Sequence, residues 1–215
     1  MMNDERPESG AERWPQRLEM ALATPWRAWN ELWRYLALPV IWLKFRINGI
    51  PWGAGWRIYG VPLIQKHARA VIRIGPGLWL RSSARSNPLA PAHPVVLSAR
   101  QPGSRLVIGR GFAMTGGVLC AEESIEIGDR VTVGANCTIV DTDFHAPGGA
   151  AHLTRGATAP VVIEDDVFIG MSALVLKGVR VGRGSVIGAG SVVTGDVPPG
   201  VIAAGNPARV VRELG

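Results

Sequence analysis

A chain of 215 residues is long enough to bury one substantial core without a second domain, and its 27 Gly and 16 Pro recur among Val, Ile and Ala, which excludes a low-complexity chain and points to tight corners. Cys120 and Cys137 are its only cysteines, with no CxxC and no His spaced to complete a zinc site, so they read as small buried apolar residues of a reducing compartment and no metal is expected. The formal charge of +6 is local: residues 61–110 hold eight Lys or Arg and no acid, whereas residues 111–215 hold seven basic and eleven acidic residues. Such a stretch suits phosphates, anionic glycans or a membrane face; nucleic acid is not expected, because the later repeats offer neither a recognition helix nor an aromatic stacking platform.

The start, MMNDERPESGAERW, is polar and mixed in charge and lacks a secretory signal, so a cytoplasmic protein is expected. All eight Trp precede residue 80. Trp26, Trp29, Trp33, Leu36 and Val40 follow three- and four-residue steps, the pattern of a helix with one apolar face, and Thr24-Pro25 is a fitting start. Pro39 is expected to interrupt it before Val40-Ile41-Trp42-Leu43. No stretch reaches the ~18 to 20 uncharged apolar residues that span a bilayer. Two readings of this segment stay open: peripheral contact at the inner face of a membrane, or packing on the chain's own domain or a neighbouring subunit.

From residue 71 short β-branched runs alternate with Gly, beginning with Val71-Ile72-Arg73-Ile74-Gly75. Ile163, Ile169, Val175, Val181, Ile187 and Val193 then fall six residues apart, and four residues after each stands Val167, Ala173, Val179, Ser185, Ser191 or Val197. Period two would not enforce this spacing and period 3.6 would drift, whereas a triangular coil places one inward aliphatic on each six-residue side. Ile127, Val133 and Ile139 share the register, as do Ile108 and Met114. Between Ile139 and Ile163 the repeat lapses and returns in phase, so a loop leaves the coil there. The expected organisation is an all-β parallel β-helix over 58–205 with a protruding loop at 141–160, a polar tail and amphipathic helix over 1–57, and a C-terminal tail over 206–215.

Ile-Glu-Asp-Asp-Val-Phe-Ile-Gly from Ile163, Val-Ile-Gly-Ala-Gly-Ser-Val-Val-Thr from Val186, Asp-Val-Pro-Pro-Gly from Asp196 and Ala-Gly-Asn-Pro-Ala-Arg-Val-Val-Arg from Ala204 resemble the hexapeptide-repeat acyltransferases. The branch resembled holds the galactoside and maltose O-acetyltransferases and the acetyltransferases of bacterial polysaccharide clusters. The resemblance implies a left-handed coil, against the usual right-handed crossover, a homotrimer with active sites between subunits, and acetyl-CoA as donor to a sugar or glycan hydroxyl. His145 matches the catalytic histidine. Imidazole, with an ordinary pKa of about 6.5, can take the proton of an attacking hydroxyl. His152 has no motif match, and Asp141 or Asp143 are candidates to orient the imidazole.

By the same resemblance the coenzyme contacts are Met171, Ala189, Thr194, Arg209 and Arg212, with the arginines facing phosphate. Met171 replaces a commonly small residue and Gly195 a commonly basic one. Phe168 stands where the family commonly has Trp, and keeps the apolar wall without an indole donor. The acceptor residues are Thr115 and Glu123, with Glu122 an equal neighbour. The segment from Arg81 to Pro94 resembles an insertion of the polysaccharide-cluster members and brings Arg85, Asn87 and His93 to the acceptor. N-acetyl transfer to an amino sugar, a zinc hydrolyase on the same fold and a non-catalytic scaffold are the alternatives. The zinc enzyme lacks its closely spaced histidines, since only His67, His93, His145 and His152 exist.

Overall fold

The computed structural model describes residues 23–146 and 154–215. From Arg57 onward the chain winds as a parallel β-helix with three flat faces, the left-handed coil of the resembled family. The first face stacks β1 (Arg57–Tyr59), β4 (Trp79–Arg81), β7 (Ala113–Thr115), β10 (Thr132–Val133), β13 (Phe168–Ile169), β16 (Val186–Ile187) and β18 (Val201–Gly205). The second stacks β2 (Leu63–Lys66), β5 (Val96–Ala99), β8 (Val118–Ala121), β11 (Thr138–Val140), β14 (Leu174–Val175) and β17 (Val192–Val193). The third stacks β3 (Val71–Ile74), β6 (Arg105–Ile108), β9 (Ser124–Ile127), β12 (Val161–Ile163) and β15 (Arg180–Val181).

The six-residue period is the step from one face to the next. Ile163 lies on the third face, Ile169 on the first and Val175 on the second; Val181, Ile187 and Val193 repeat the circuit, and all six are buried. Burying each such side chain contributes roughly 1.5–3 kcal/mol before chain entropy is counted. The residues four positions later fill the corners and are buried too. Two of them are serines, and both are satisfied: the Ser185 hydroxyl donates to the Pro198 carbonyl at 2.6 Å and accepts from the Val201 N–H at 3.2 Å, and the Ser191 hydroxyl accepts from the Gly205 N–H at 3.1 Å.

Both ends of the coil are covered, and both differ from the sequence expectation. The residues expected as a C-terminal tail include β19 (Ala208–Glu213), which pairs antiparallel with β18, Ala204 opposite Arg209 and Ile202 opposite Arg212. An open last coil would leave β18 with a row of unpaired N–H and C=O groups, and β19 satisfies them. At the other end α1 (Pro25–Ile47) starts at Pro25 and runs through Pro39 without a break. Loss of one N–H is outweighed there because the following turns bury Ile41 and Phe45 completely, with Phe45 edge-on to Trp56 at 5.2 Å. Glu31 ties the helix to β1 by accepting from the Tyr59 hydroxyl while pairing with Arg34 at 2.7 Å. Of the two readings left open for the stripe, packing on the chain's own coil does not occur: Trp26, Trp29, Trp33, Leu36 and Val40 are all exposed.

Candidate functional site

The excursion leaves the corner after β11 as two antiparallel strands' worth of backbone. Thr142 bridges Thr158 and His145 bridges Arg155, with the Asp143 N–H on the Ala157 carbonyl at 3.0 Å and the Ala146 N–H on the Thr154 carbonyl at 3.0 Å. His145 is thus held by backbone pairing at the stem while its side chain is exposed, and its imidazole has no hydrogen-bond partner among the described residues. His152 lies outside the described residues.

Both aspartates suggested for orienting the imidazole have other partners among the described residues. Asp141 is fully buried, its two carboxylate oxygens accepting the backbone N–H groups of Glu122 at 2.7 Å and Glu123 at 2.8 Å. Burial pushes its carboxyl up from the ordinary carboxylate range, against those backbone donors. It is the latch at the root of the excursion. Asp143 pairs with Lys177 at 3.1 Å, which fastens the outgoing strand to the next coil.

Of the neighbouring pair Glu122 and Glu123, the structure turns Glu122 inward and leaves Glu123 exposed. The Glu122 carboxylate, almost wholly buried, accepts from Arg100 at 2.9 Å, Gln101 at 2.6 Å and Arg155 at 3.3 Å. Arg155 is the residue whose backbone bridges His145, and the Arg100 guanidinium stands 5.8 Å from the Phe144 ring. A buried acid with three donors, joined through Arg155 to the histidine stem, is a network the sequence reading missed. Its members lie on three separate segments, and only stacking of the coils brings them together.

Thr115 and Asn87 do meet: the Asn87 amide donates to the Thr115 hydroxyl at 3.3 Å, on the corner between the first and second faces. Arg85 holds its own carbonyl out to the Asn30 amide at 2.9 Å, which joins the insertion to α1. Arg85, Asn87 and Pro88 face Trp26, Trp29 and Asn30 across a cleft of about 370 Å³. His93 is exposed, with Nδ1 2.8 Å from the Pro94 carbonyl. The adjacent Ala92 N–H reaches the Asn136 side chain at 2.9 Å, so the insertion is laid over the same corner.

That corner continues upward into the proposed coenzyme residues. Gly134, Gly170 and Gly188 follow one another on it, and the approach of successive coils is so close that a Cβ on Gly170 would stand 2.5 Å from the Ala189 nitrogen. Met171 and Ala189 sit side by side there, both exposed, with the Gly190 N–H on the Met171 carbonyl at 2.8 Å. Thr194 is exposed on the next corner, the one from which the His145 excursion and Lys177 arise. Arg209 and Arg212 are exposed on β19 and form no ion pair among the described residues. Phe168 is exposed on the first face. Within one chain, then, the residues fall into two groups on opposite edges of the second face: His145, Glu122 and Thr194 on one, Thr115, Asn87, Met171 and Ala189 on the other.

The thiols offer no nucleophile. Burial holds both above the ordinary range, Cys137 up to about 11, and its Sγ donates to the Gly170 carbonyl at 2.9 Å. Among the described residues no group of three or more His, Cys, Asp or Glu is placed to hold a metal ion.

Residues 160–195 match the family described as Bacterial transferase hexapeptide (six repeats), and residues 117–140 the one described as Hexapeptide repeat of succinyl-transferase. The chain is 37% identical over 113 residues to the galactoside O-acetyltransferase of Escherichia coli (strain K12), a match covering 52% of this chain and 56% of that protein. It is 53% identical over 57 residues to a 2,3,4,5-tetrahydropyridine-2,6-dicarboxylate N-acetyltransferase of Staphylococcus aureus (strain JH9), over 26% of this chain and 24% of the relative. The match therefore spans about half the length of the first relative and about a quarter of the second. Among solved structures, a galactoside acetyltransferase in complex with coenzyme A superposes with a TM-score of 0.56 at 32% identity, over 68% of this chain and 66% of that one.

Proposed function

We propose an acetyl transfer for this chain, which belongs to the hexapeptide-repeat acyltransferase superfamily and, within it, to the branch that holds the galactoside O-acetyltransferases. The donor is acetyl-CoA and the acceptor a hydroxyl of a sugar or glycan intermediate, in the cytoplasm and in the service of surface polysaccharide synthesis. The observation that carries the reading is the His145 imidazole, exposed on a stem fixed by backbone pairing and without a hydrogen-bond partner among the described residues, while Asp141, Asp143 and Glu122 are engaged with other groups. Such a group can accept the proton as the acceptor oxygen attacks the thioester carbonyl. A C–O bond forms, the C–S bond breaks, and the proton taken by the imidazole passes to the departing sulfur, giving ester and free coenzyme A. Backbone N–H groups of the coil are the available donors to the oxyanion.

The donor would lie along the glycine corner, where Met171 and Ala189 leave a shallow surface for the pantetheine arm, and Arg209 and Arg212, without an ion pair among the described residues, would meet its phosphates. Because this corner and His145 lie on opposite edges of one face, a complete site needs a second copy, which supports a homotrimer with sites between subunits. The S. aureus relative is named an N-acetyltransferase, so an amino sugar is the second reading of the acceptor.

The test is release of thiol from acetyl-CoA against panels of hydroxyl and amino sugars. His145→Ala is expected to lower turnover by about 10²–10⁴-fold with unchanged melting temperature, the usual contribution of a positioned general base. Unchanged turnover in that variant overturns the mechanism, and a preference for amines decides for the second acceptor class.

A further inference from the structure

The outward stripe of α1 has a regular spacing: Trp29, Trp33, Leu36, Val40, Leu43 and Ile47 step by four and three residues and are all exposed, Ile47 at 75% and Leu36 and Val40 at 59%. The opposite side of the helix, Ile41 and Phe45, is already buried against the coil. A stripe of this period would suit a second helix if it were narrow and bordered by charges. Here its borders are themselves apolar or aromatic, with Leu32, Tyr35 and Trp42 exposed on one flank and Trp26 on the other. A broad apolar arc rich in Trp and Tyr fits the headgroup boundary of a bilayer, where the rings have an apolar body and a polar edge to satisfy.

Charge selects the same occupant. Between residues 24 and 121 the chain has thirteen Lys or Arg and one acid, Glu31. Glu31 is engaged by Arg34 and Tyr59. Arg27, Arg46, Arg57, Arg69, Arg73 and Arg85, on α1, in the first coil and in the insertion that α1 touches, are exposed and without an ion pair among the described residues. Higher on the coil the pattern reverses, and Arg110, Arg130, Arg155, Lys177, Arg180 and Arg183 each have a carboxylate partner. Among the described residues, six of the exposed cations without a carboxylate partner thus lie at the end that carries the aromatic stripe, with Arg105, Arg209 and Arg212 the others on the coil. A second copy would set this basic end against another of the same sign, whereas anionic lipid complements both its charge and its apolar arc.

We propose that α1 and the first coil form a peripheral docking face for an anionic bilayer surface, with the helix lying in the interface. No described helix is long and apolar enough to cross a membrane.

Flotation of the full-length protein with vesicles of phosphatidylcholine mixed with phosphatidylglycerol, and with phosphatidylcholine alone, tests it. Binding is expected only to the mixed vesicles, with a blue shift of Trp emission and a loss as salt rises. Trp33→Ser combined with Leu36→Ser, and separately Arg27→Glu combined with Arg46→Glu, are each expected to weaken binding by about tenfold or more at unchanged melting temperature. Three results overturn the proposal: no binding of the native protein to mixed vesicles, equal binding by both double variants, or a change in molar mass of the Trp33/Leu36 variant, which would assign the stripe to another copy of the chain.

Discussion

Asp141 shows how a residue can be visible in a sequence while its role is not. Its place beside the histidine suggested a partner for the imidazole, yet its oxygens accept the N–H groups of Glu122 and Glu123 one coil below. Carboxylate and amide differ here by a single group, since an asparagine side chain at this position would turn an NH₂ toward one of two inward-pointing N–H donors. Asp141→Asn is therefore expected to destabilise the fold by about 1–3 kcal/mol, the cost of leaving a buried donor unsatisfied, and to lower turnover because the stem of the His145 excursion loses its latch. Chemical denaturation and the thiol-release assay read the two effects; an Asn variant as stable as the native protein would refute the latch. The place of His145 on an excursion from the coil was legible, because the six-residue register lapses between Ile139 and Ile163 and returns in phase. Glu122 was legible only as one of two neighbours, since inward and outward positions on a corner differ by one residue and the register of a corner does not follow from the six-residue period.

At the scale of elements, what could be read depended on whether the partner surface was encoded nearby. Each inward aliphatic from Ile163 to Val193 packs on its own repeat one coil away, so the period alone specified its face. The helix was different. Its most regular stripe, beginning at Trp26, is the exposed one, and the residues that anchor it, Ile41 and Phe45, are too few to form a pattern. Tyr59 adds a polar anchor. Burial, together with its bond to Glu31, pushes the Tyr59 hydroxyl from 10.0 up to about 12. A group raised in the fold contributes stability fully present below its unfolded value and lost as pH rises through the folded one, so this link should hold to about pH 10 and fade toward about 12. Tyr59→Phe is expected to cost about 0.5–1.5 kcal/mol at neutral pH. The difference in melting temperature from the native protein should shrink across that alkaline window, and a difference that persists above it would mean that packing, not the hydroxyl, is the anchor.

The whole molecule poses the question that one chain cannot answer with its own surface. His145 rises from one edge of the second face and the glycine corner with Met171 and Ala189 runs along the other, so under the proposed function a single copy would hold two half-sites on opposite edges of that face. This separation makes the assembly testable through function. His145→Ala removes one half and leaves the corner; Ala189→Trp fills the corner and leaves the histidine. Each alone is expected to be nearly inactive as a homo-oligomer. Co-expressed and mixed at random, they should regain up to about a quarter of native turnover, since a working site needs an intact histidine from one copy and an intact corner from its neighbour, each with a chance of about one half. If each chain carried a whole site, every chain in the mixture would bear one lesion and no activity would return. Measured beside the molar mass of the mixed assembly, the recovery separates a site between subunits from one within them, and does so without knowing which sugar accepts the acetyl group.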